Sequence, residues 1–425
     1  MLKRGPYLQM QGPNQIEVCW RTDASVLSGS VHFGNVPDRL SHTVDARQTQ
    51  TPFSGTKDWR ATITELLPNQ KYYYAICVNR QILHDGDREQ SFFTAPEIGQ
   101  SHRVRFWCLG DSGTNRVGTA NPGKARRARD GFRRYNKQPI NAMLMIGDHA
   151  YSHGKDAQYQ SAFFDLYTDE LCKTAIFPYA GNHDLLSDDF FYVFSVPNSG
   201  EFGGVPSRQM TYYSFDYANI HFVMLDLYKQ PWRTLNTPQM QWLEEDLAST
   251  SQDWIIVVNH IPAFCHGRYN SDEIDYYRPI QQTVLPLLDK YGIDLHLSGH
   301  DHTYQRSYLI NGHYGTSDSF DPVKHIKFDG DGINEPIVKK HGAHSGIVHV
   351  ISGTAGSFAP ADESGHRSGT LGYPAMVKFE NGDENGRGFR RLGTFLLTVD
   401  GLELRGTQID DEGQILDNFR IRKIP

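Results

Sequence analysis

The stretch Ala142-Met143-Leu144-Met145-Ile146-Gly147-Asp148-His149-Ala150-Tyr151 decides the fold. An apolar strand candidate, 142–146, runs straight into a loop of Gly, Asp, His, Ala and Tyr. The same arrangement recurs along the chain. Val104–Leu109 leads into Gly110-Asp111-Ser112-Gly113, Trp254–Val258 into Asn259-His260, and 293–297 into Gly299-His300-Asp301-His302. The shorter stretch 176–180 precedes Gly181-Asn182-His183-Asp184. Helical patterns lie between these strands. Residues 156–171 space Phe163, Phe164 and Tyr167 as a buried stripe, Thr237-Pro238 supplies an N-cap and a first-turn proline, and 277–291 is helical. Strands alternating with helices predict an α/β domain. Strand patterns return at 347–351, 394–399 and 402–407, after a stretch with little periodicity, 303–345.

Upstream the texture differs. Ile16, Val18 and Trp20 alternate with polar or small neighbours, as do Tyr72, Tyr74, Ile76 and Val78, and turns such as Ser28-Gly29-Ser30 separate them. Leu66-x-Pro68 followed by Tyr72 is similar to the tyrosine corner of immunoglobulin-like and fibronectin type III sandwiches. We therefore expect an all-β sandwich over 1–98, a linker near 94–99, and a second domain over 99–425. If Val18 and Trp20 point inward, Cys19 points out; the same phasing turns Cys77 out, so the two should not form a disulfide. The five cysteines (19, 77, 108, 172, 265) include no CxxC pair, which excludes a cysteine zinc site.

The chain has 425 residues, with 42 Lys plus Arg against 49 Asp plus Glu, a formal charge of −7. That balance argues against a general nucleic-acid or membrane-surface binder. Apolar runs such as Trp254–Val258 fall far short of the roughly 20 residues of a membrane span. The start has charge but no apolar leader core, so the expectation is a secreted or periplasmic protein whose leader has been removed, with a cytoplasmic one left open.

Residues at the carboxyl ends of α/β strands converge on the crevice where such folds bind ligands. Each motif alone has an ordinary explanation: Gly-Asp is a turn, Asn-His-Asp a helix cap, Gly-His-x-His a pair of surface histidines. Together and in this order they assemble carboxylate, imidazole, amide and phenol without thiolate, a donor set for iron, zinc or manganese. Two such metals sharing a carboxylate suit phosphoester hydrolysis.

The five motifs resemble those of the purple acid phosphatases, among the calcineurin-like dinuclear metallophosphoesterases. The Asp148-x-x-Tyr151 spacing, the leading Arg4-Gly5-Pro6-Tyr7-Leu8-Gln9 and the β-sandwich ahead of the catalytic domain carry the same resemblance. It implies a four-layer α/β/β/α catalytic sandwich. It also implies one metal, Fe(III), on Asp111, Asp148, Tyr151 and His302, and a second, Fe, Zn or Mn, on Asp148, Asn182, His260 and His300. The activity implied is hydrolysis of small phosphate monoesters by in-line attack of a metal-bound hydroxide. His183 would be the general acid, with Asn182, His183 and His266 meeting the substrate. A phosphodiesterase or nucleotide hydrolase on the same centre is the enzymatic alternative, and a binding or adhesion protein the non-catalytic one.

One position departs from the pattern. His153 stands where the family commonly has an Asp that orients the catalytic histidine, so Asp156 or Asp184 must serve, or the pH optimum shifts. The basic run 124–134 reads as a solvated helix face that would otherwise steer anions. Asp329-Gly330-Asp331-Gly332 lacks the acidic spacing of a calcium loop. His341, His344, His349 and His366 read as loop or surface residues.

Overall fold

The computed structural model describes residues 2–424 except 38, 84–88, 115–122, 230, 359–369 and 384. The N-terminal strands are β1 (Leu2–Gln9), β2 (Ile16–Asp23), β3 (Gly29–Gly34), β4 (His42–Asp45), β5 (Arg47–Thr49), β6 (Thr56–Ile63), β7 (Lys71–Val78), β8 (Gln81–Ile82) and β9 (Ser91–Phe93). They form two facing sheets, β1-β2-β6-β5 and β4-β3-β7-β8, with β9 on β7. The alternation read from sequence packs the space between them: Val18, Trp20, Val31, Trp59, Tyr74 and Ile76 are buried there. The corner also forms, with the Leu67 N–H donating to the Tyr72 hydroxyl at 3.0 Å.

Cys19 and Cys77 lie in opposite sheets and all five thiols are free. Cys19 does face away from the sandwich core, yet it does not reach solvent. Its side of β2 packs with Tyr7 against the second domain, and the residue is fully buried.

The second domain contains β10 (Val104–Leu109), β11 (Ala142–Met145), β12 (Ala175–Phe177), β13 (Tyr213–Tyr217), β14 (Ile220–Met224), β15 (Trp254–Val258), β16 (Leu295–Ser298), β17 (Tyr304–Arg306), β18 (Leu309–Ile310), β19 (Ile326–Phe328), β20 (Ile337–Lys340), β21 (Val348–Ser352), β22 (Gly393–Asp400), β23 (Glu403–Asp410) and β24 (Ile415–Ile424). One sheet runs β20-β24-β23-β22-β10-β11-β12 and the other β13-β14-β15-β16-β21-β17. In the first, β10, β11 and β12 are parallel; in the second, β14, β15, β16 and β21 are. Their inner faces meet in a core of Phe106, Phe222, Leu297, Val350 and Leu397, with Phe177 stacked on Phe215 at 4.0 Å. Outside the first sheet the helix Lys124–Tyr135 places Phe132 flat on Trp107 at 4.1 Å. Outside the second, Pro238–Ser249 and Leu285–Tyr291 bury Leu243 and Leu288 with Val257. These are the four layers, helix, sheet, sheet, helix.

The two domains share a sheet. β1 pairs antiparallel with β2 and parallel with β12 (Leu8 opposite Ala175), so eleven strands run on without a break. Arg21 binds Asp58 (2.8 Å) and Asp156 (2.5 Å), and Arg4 binds Asp156 (2.8 Å), placing two buried guanidiniums from the sandwich on one carboxylate of the second domain. Losing one partner of such a buried group costs about 3–5 kcal/mol.

Several details differ from the sequence expectations. Thr237 has the backbone of an N-cap ahead of Pro238, but its hydroxyl donates to Thr234 O at 3.1 Å and makes no cap bond. His349 is no surface residue: it lies inside β21, its Nδ1 2.9 Å from His296 Nδ1, and burial pushes both imidazoles well down in pKa, His296 to about 4. His341 and His344 are exposed, and His366 falls outside the described residues. The basic helix is a salt-bridged face, Arg127 with Asp411, Arg129 with Asp130 and Arg133 with Glu170. Asp331 serves a turn, accepting from the Ile333 N–H at 2.8 Å.

Candidate metal centre

Each motif sits where its strand ends, and the backbone there is unusual. Asp111 (φ 58°), Asp148 (φ 59°), His300 (φ 67°) and His302 (φ 48°) all occupy the left-handed region that non-glycine residues avoid. Such strain collects at functional sites because the surroundings must enforce it. The glycines preceding them allow close approach: a Cβ on Gly147 would lie 2.5 Å from His260 Nδ1, and one on Gly299 would lie 2.5 Å from Asp111 Oδ2.

The loops are locked to one another through buried polar groups. Asp184 accepts from the backbone N–H of Asp148 (2.7 Å), His149 (3.1 Å), Ala150 (3.2 Å) and Gly181 (2.9 Å) and from the Tyr159 hydroxyl (2.8 Å). Burial and the Asp148 charge push its pKa up to about 6, and these five donors keep it an anion at neutral pH. His149 accepts the Gly147 N–H at Nε2 (3.1 Å), so its Nδ1–H donates to Ser112 Oγ (2.7 Å) and ties the first two motifs together. Asp301, turned inward between His300 and His302, accepts from the Tyr269 N–H (2.7 Å) and holds the loop after β15.

At the centre, ligating atoms of Asp111, Asp148 and His260 lie within 4.8 Å of one another, all buried. Burial alone would raise both carboxyl groups, but His260, with His302 beside Asp111, holds them below the usual carboxylate range. In return the two carboxylates lift His260 to about 10 against its own burial. A pocket holding two buried anions calls for positive charge, which a metal ion would supply. His260 Nδ1–H donates to Ile146 O (2.9 Å), which fixes the tautomer that presents Nε2 as a ligand. That Nε2 lies 3.1 Å from Asp148 Oδ2, and Asn182 Oδ1 is a buried atom without a hydrogen-bond partner among the described residues. His300 Nε2 meets the Tyr276 hydroxyl at 3.0 Å, leaving Nδ1 for a metal, and burial lowers this ring to about 3, so it is neutral as a ligand must be.

On the far side, the Tyr151 hydroxyl lies 2.8 Å from Asp111 Oδ1 and 3.1 Å from His302 Nε2. Burial and the neighbouring carboxylates raise the Tyr151 pKa, so a phenolate here needs a strongly acidic cation beside it. Asp111, Asp148, Tyr151, Asn182, His260, His300 and His302 therefore gather from five loops, with donors that suit hard and borderline metals.

His183 lies alongside, its ring edge-on to Tyr151 at 4.7 Å. Its orienting partner is no carboxylate. Its Nδ1 meets the Ser152 carbonyl at 2.8 Å, while Asp156 is held by Arg4 and Arg21, Asp184 by its five donors, and His153 is exposed. His266 pairs with Asp272 at 2.9 Å and packs on Tyr373. Instead, Arg268 reaches His302 Nδ1 (2.7 Å), and Tyr269 stacks on His300 at 4.5 Å. No local pattern marks Arg268, Tyr269 or Tyr276, because each meets a residue more than twenty positions away.

Comparison with known proteins agrees with this geometry. The profile of the purple acid phosphatase N-terminal domain matches residues 4–95 and that of the calcineurin-like phosphoesterases residues 104–304. The chain belongs to the purple acid phosphatase family. It is 26% identical to purple acid phosphatase 21 of Arabidopsis thaliana over 71% of this chain and 65% of that one. It is 25% identical to a probable inactive purple acid phosphatase 24 of the same plant over 69% of this chain, and spans 48% of that relative's length. A purple acid phosphatase from yellow lupin (Lupinus luteus) seeds has the same fold, with a TM-score of 0.67 at 20% identity over 98% of this chain and 74% of the lupin one. Among the described residues no helix is long and apolar enough to cross a membrane.

Proposed function

We propose that the protein hydrolyses small phosphate monoesters at a dinuclear metal centre. The observation that carries this reading is the clustering of Asp111, Asp148 and His260 beside a buried ligand atom without a partner among the described residues, Asn182 Oδ1, in a family of phosphoesterases. Asp111, Asp148, Tyr151 and His302 would hold Fe(III), and Asp148, Asn182, His260 and His300 a divalent Fe, Zn or Mn. When bound, the two ions neutralise phosphate charge and furnish the hydroxide nucleophile.

The chain's own residues do the rest. Asp148, whose Oδ1 accepts from the His183 N–H at 2.9 Å, sets the distance between the shared carboxylate and the candidate acid. The Ser152 carbonyl holds the His183 Nδ1–H, so the proton destined for the leaving oxygen sits on Nε2. His266, held by Asp272, would contact the leaving group only after this pair opens. The domains divide at about residue 98, and the sandwich contributes Arg4 and Arg21 to the support beneath the second motif.

Metal analysis together with hydrolysis of an aryl phosphate tests the reading. Two metals per chain and a visible charge-transfer band that Tyr151→Phe abolishes are the expected results. Iron-loaded protein without colour removes Tyr151 from the ligand set, and metal-loaded protein inactive on every ester favours a binding role; one relative is named a probable inactive purple acid phosphatase.

A further inference from the structure

Three residues outside the candidate ligand set form a buried polar chain that ends on the loop carrying His260. His296 on β16 lies between β15 and β21, opposite Val257 on one side and His349 on the other. Asn259 directly follows β15. All three side chains are buried. Strands paired on both sides pack well with apolar residues alone, as their neighbours Val257 and Val350 do, so buried polar groups here call for a reason other than filling the core.

The direction of each hydrogen bond follows from the far end. Asn259 Nδ2 donates to Ile261 O, which turns Asn259 Oδ1 toward His296 Nε2. An amide oxygen only accepts, so the His296 proton sits on Nε2 and Nδ1 is bare in a neutral ring. Burial keeps both imidazoles neutral, lowering His296 to about 4 and His349 well below its ordinary value. His349 is therefore the donor, from Nδ1–H to His296 Nδ1 at 2.9 Å. The chain runs one way, from His349 through His296 and Asn259 to the Ile261 carbonyl.

Its end straddles a candidate ligand. Asn259 and Ile261 flank His260, so the Asn259 amide closes a short ring over the His260 backbone. That backbone is also held by its own groups: the His260 N–H donates to the Tyr179 hydroxyl (3.2 Å), and its carbonyl accepts from the Gly299 N–H (3.0 Å). We infer that His296 is a positioning residue for the divalent metal: through Asn259 it fixes the main chain at 259–261, and with it the point from which His260 Nε2 reaches the ion. The inference rests on the dinuclear reading of that centre.

The test titrates Zn(II), in competition with a chromophoric chelator, into the whole chain freed of its divalent metal, for wild type, His296→Leu and His296→Gln. Support behind a metal ligand is typically worth about 10- to 100-fold in affinity, so His296→Leu should bind Zn(II) more weakly by about that factor. One glutamine amide can donate to Asn259 and accept from His349, so His296→Gln should recover most of the loss. The visible band of iron on Tyr151 should stay in both variants, because His260 belongs to the other ligand set. Wild-type affinity in His296→Leu overturns the inference. So does equal weakening in the Leu and Gln variants, or loss of the Tyr151 band together with Zn(II), since either marks a purely structural residue. If His296→Leu does not fold, His349→Phe carries the test by removing only the donor to His296; it should likewise weaken Zn(II), and wild-type affinity there overturns the inference. Wild type that takes up no second metal refutes the dinuclear reading and the inference with it, whereas failure in the variants alone refutes only the role of His296.

Discussion

Removing the charge on His221 should erase that residue's own share of the pH dependence of the protein's stability. His221 lies on β14, 1% exposed, with Nδ1 2.7 Å from Asp216 and Nε2 2.9 Å from Asp246. Burial opposes its charge, but the two carboxylates outweigh burial and raise its pKa to about 9. An unfolded histidine titrates near 6.5. The folded state therefore holds the proton longer, and stability falls as pH rises. The difference of about 2.5 units corresponds to about 3 kcal/mol, fully present below about pH 6.5 and lost as pH passes through about 9. Asp246 also fixes Val205 N–H and Ser214 Oγ, so loss of the imidazolium loosens the start of β13 as well. The assay is urea unfolding of metal-loaded wild type and His221→Gln at several pH values. The variant should be less stable by about 3 kcal/mol near pH 6, and that gap should close by about pH 9.5. Lys339, lowered to about 8 by burial, titrates in the same window but is common to both proteins and cancels. A gap that stays constant across the range would refute the ion-pair reading.

Three further outcomes are expected. His183→Ala should keep both metals yet slow hydrolysis about 10²–10⁴-fold for alkyl phosphates, with a smaller effect on activated aryl phosphates; equal slowing on both would assign His183 to phosphate binding. Asp184→Asn must present an NH2 to at least two of the backbone N–H groups the carboxylate now accepts, each bond worth about 1.5–3 kcal/mol, so melting temperature and metal content should both drop; a fully metallated variant with wild-type melting would rule out the clamp. All five thiols should react only on denaturation, since Cys19, Cys77, Cys108, Cys172 and Cys265 are free and buried; mass analysis finding a Cys19–Cys77 bridge would overturn the strand phasing.

The motif residues were legible because strand ends are local: apolar stretches such as Val104–Leu109 and Trp254–Val258 stop at the residues that carry the chemistry. Period-two alternation likewise gave the inner faces of β2 and β7. What escaped was set by distant partners. His349 reads as a surface residue until β16 and β21 are paired, which brings His296 opposite it. The acceptor for His183 is the Ser152 backbone carbonyl, which no side-chain pattern announces. Nor does sequence reveal that β1 belongs to two domains, because one residue pair, Leu8 with Ala175, makes the join.

That join has a mechanical consequence. Two modules strung on a flexible linker swivel, but here strand β1 meets β12 at Leu8 and Ala175 and Arg4 and Arg21 bind Asp156, so the sandwich and the second domain should move as a single beam. Cutting the chain near residue 98 would not release a tidy catalytic unit. It would bare the edge of β12, the apolar flank, Phe164 among it, that Tyr7 and Cys19 now cover, and an unneutralised Asp156 close behind the candidate metal loops. An unpaired strand edge seeks another edge, so the shortened protein should be a sticky one.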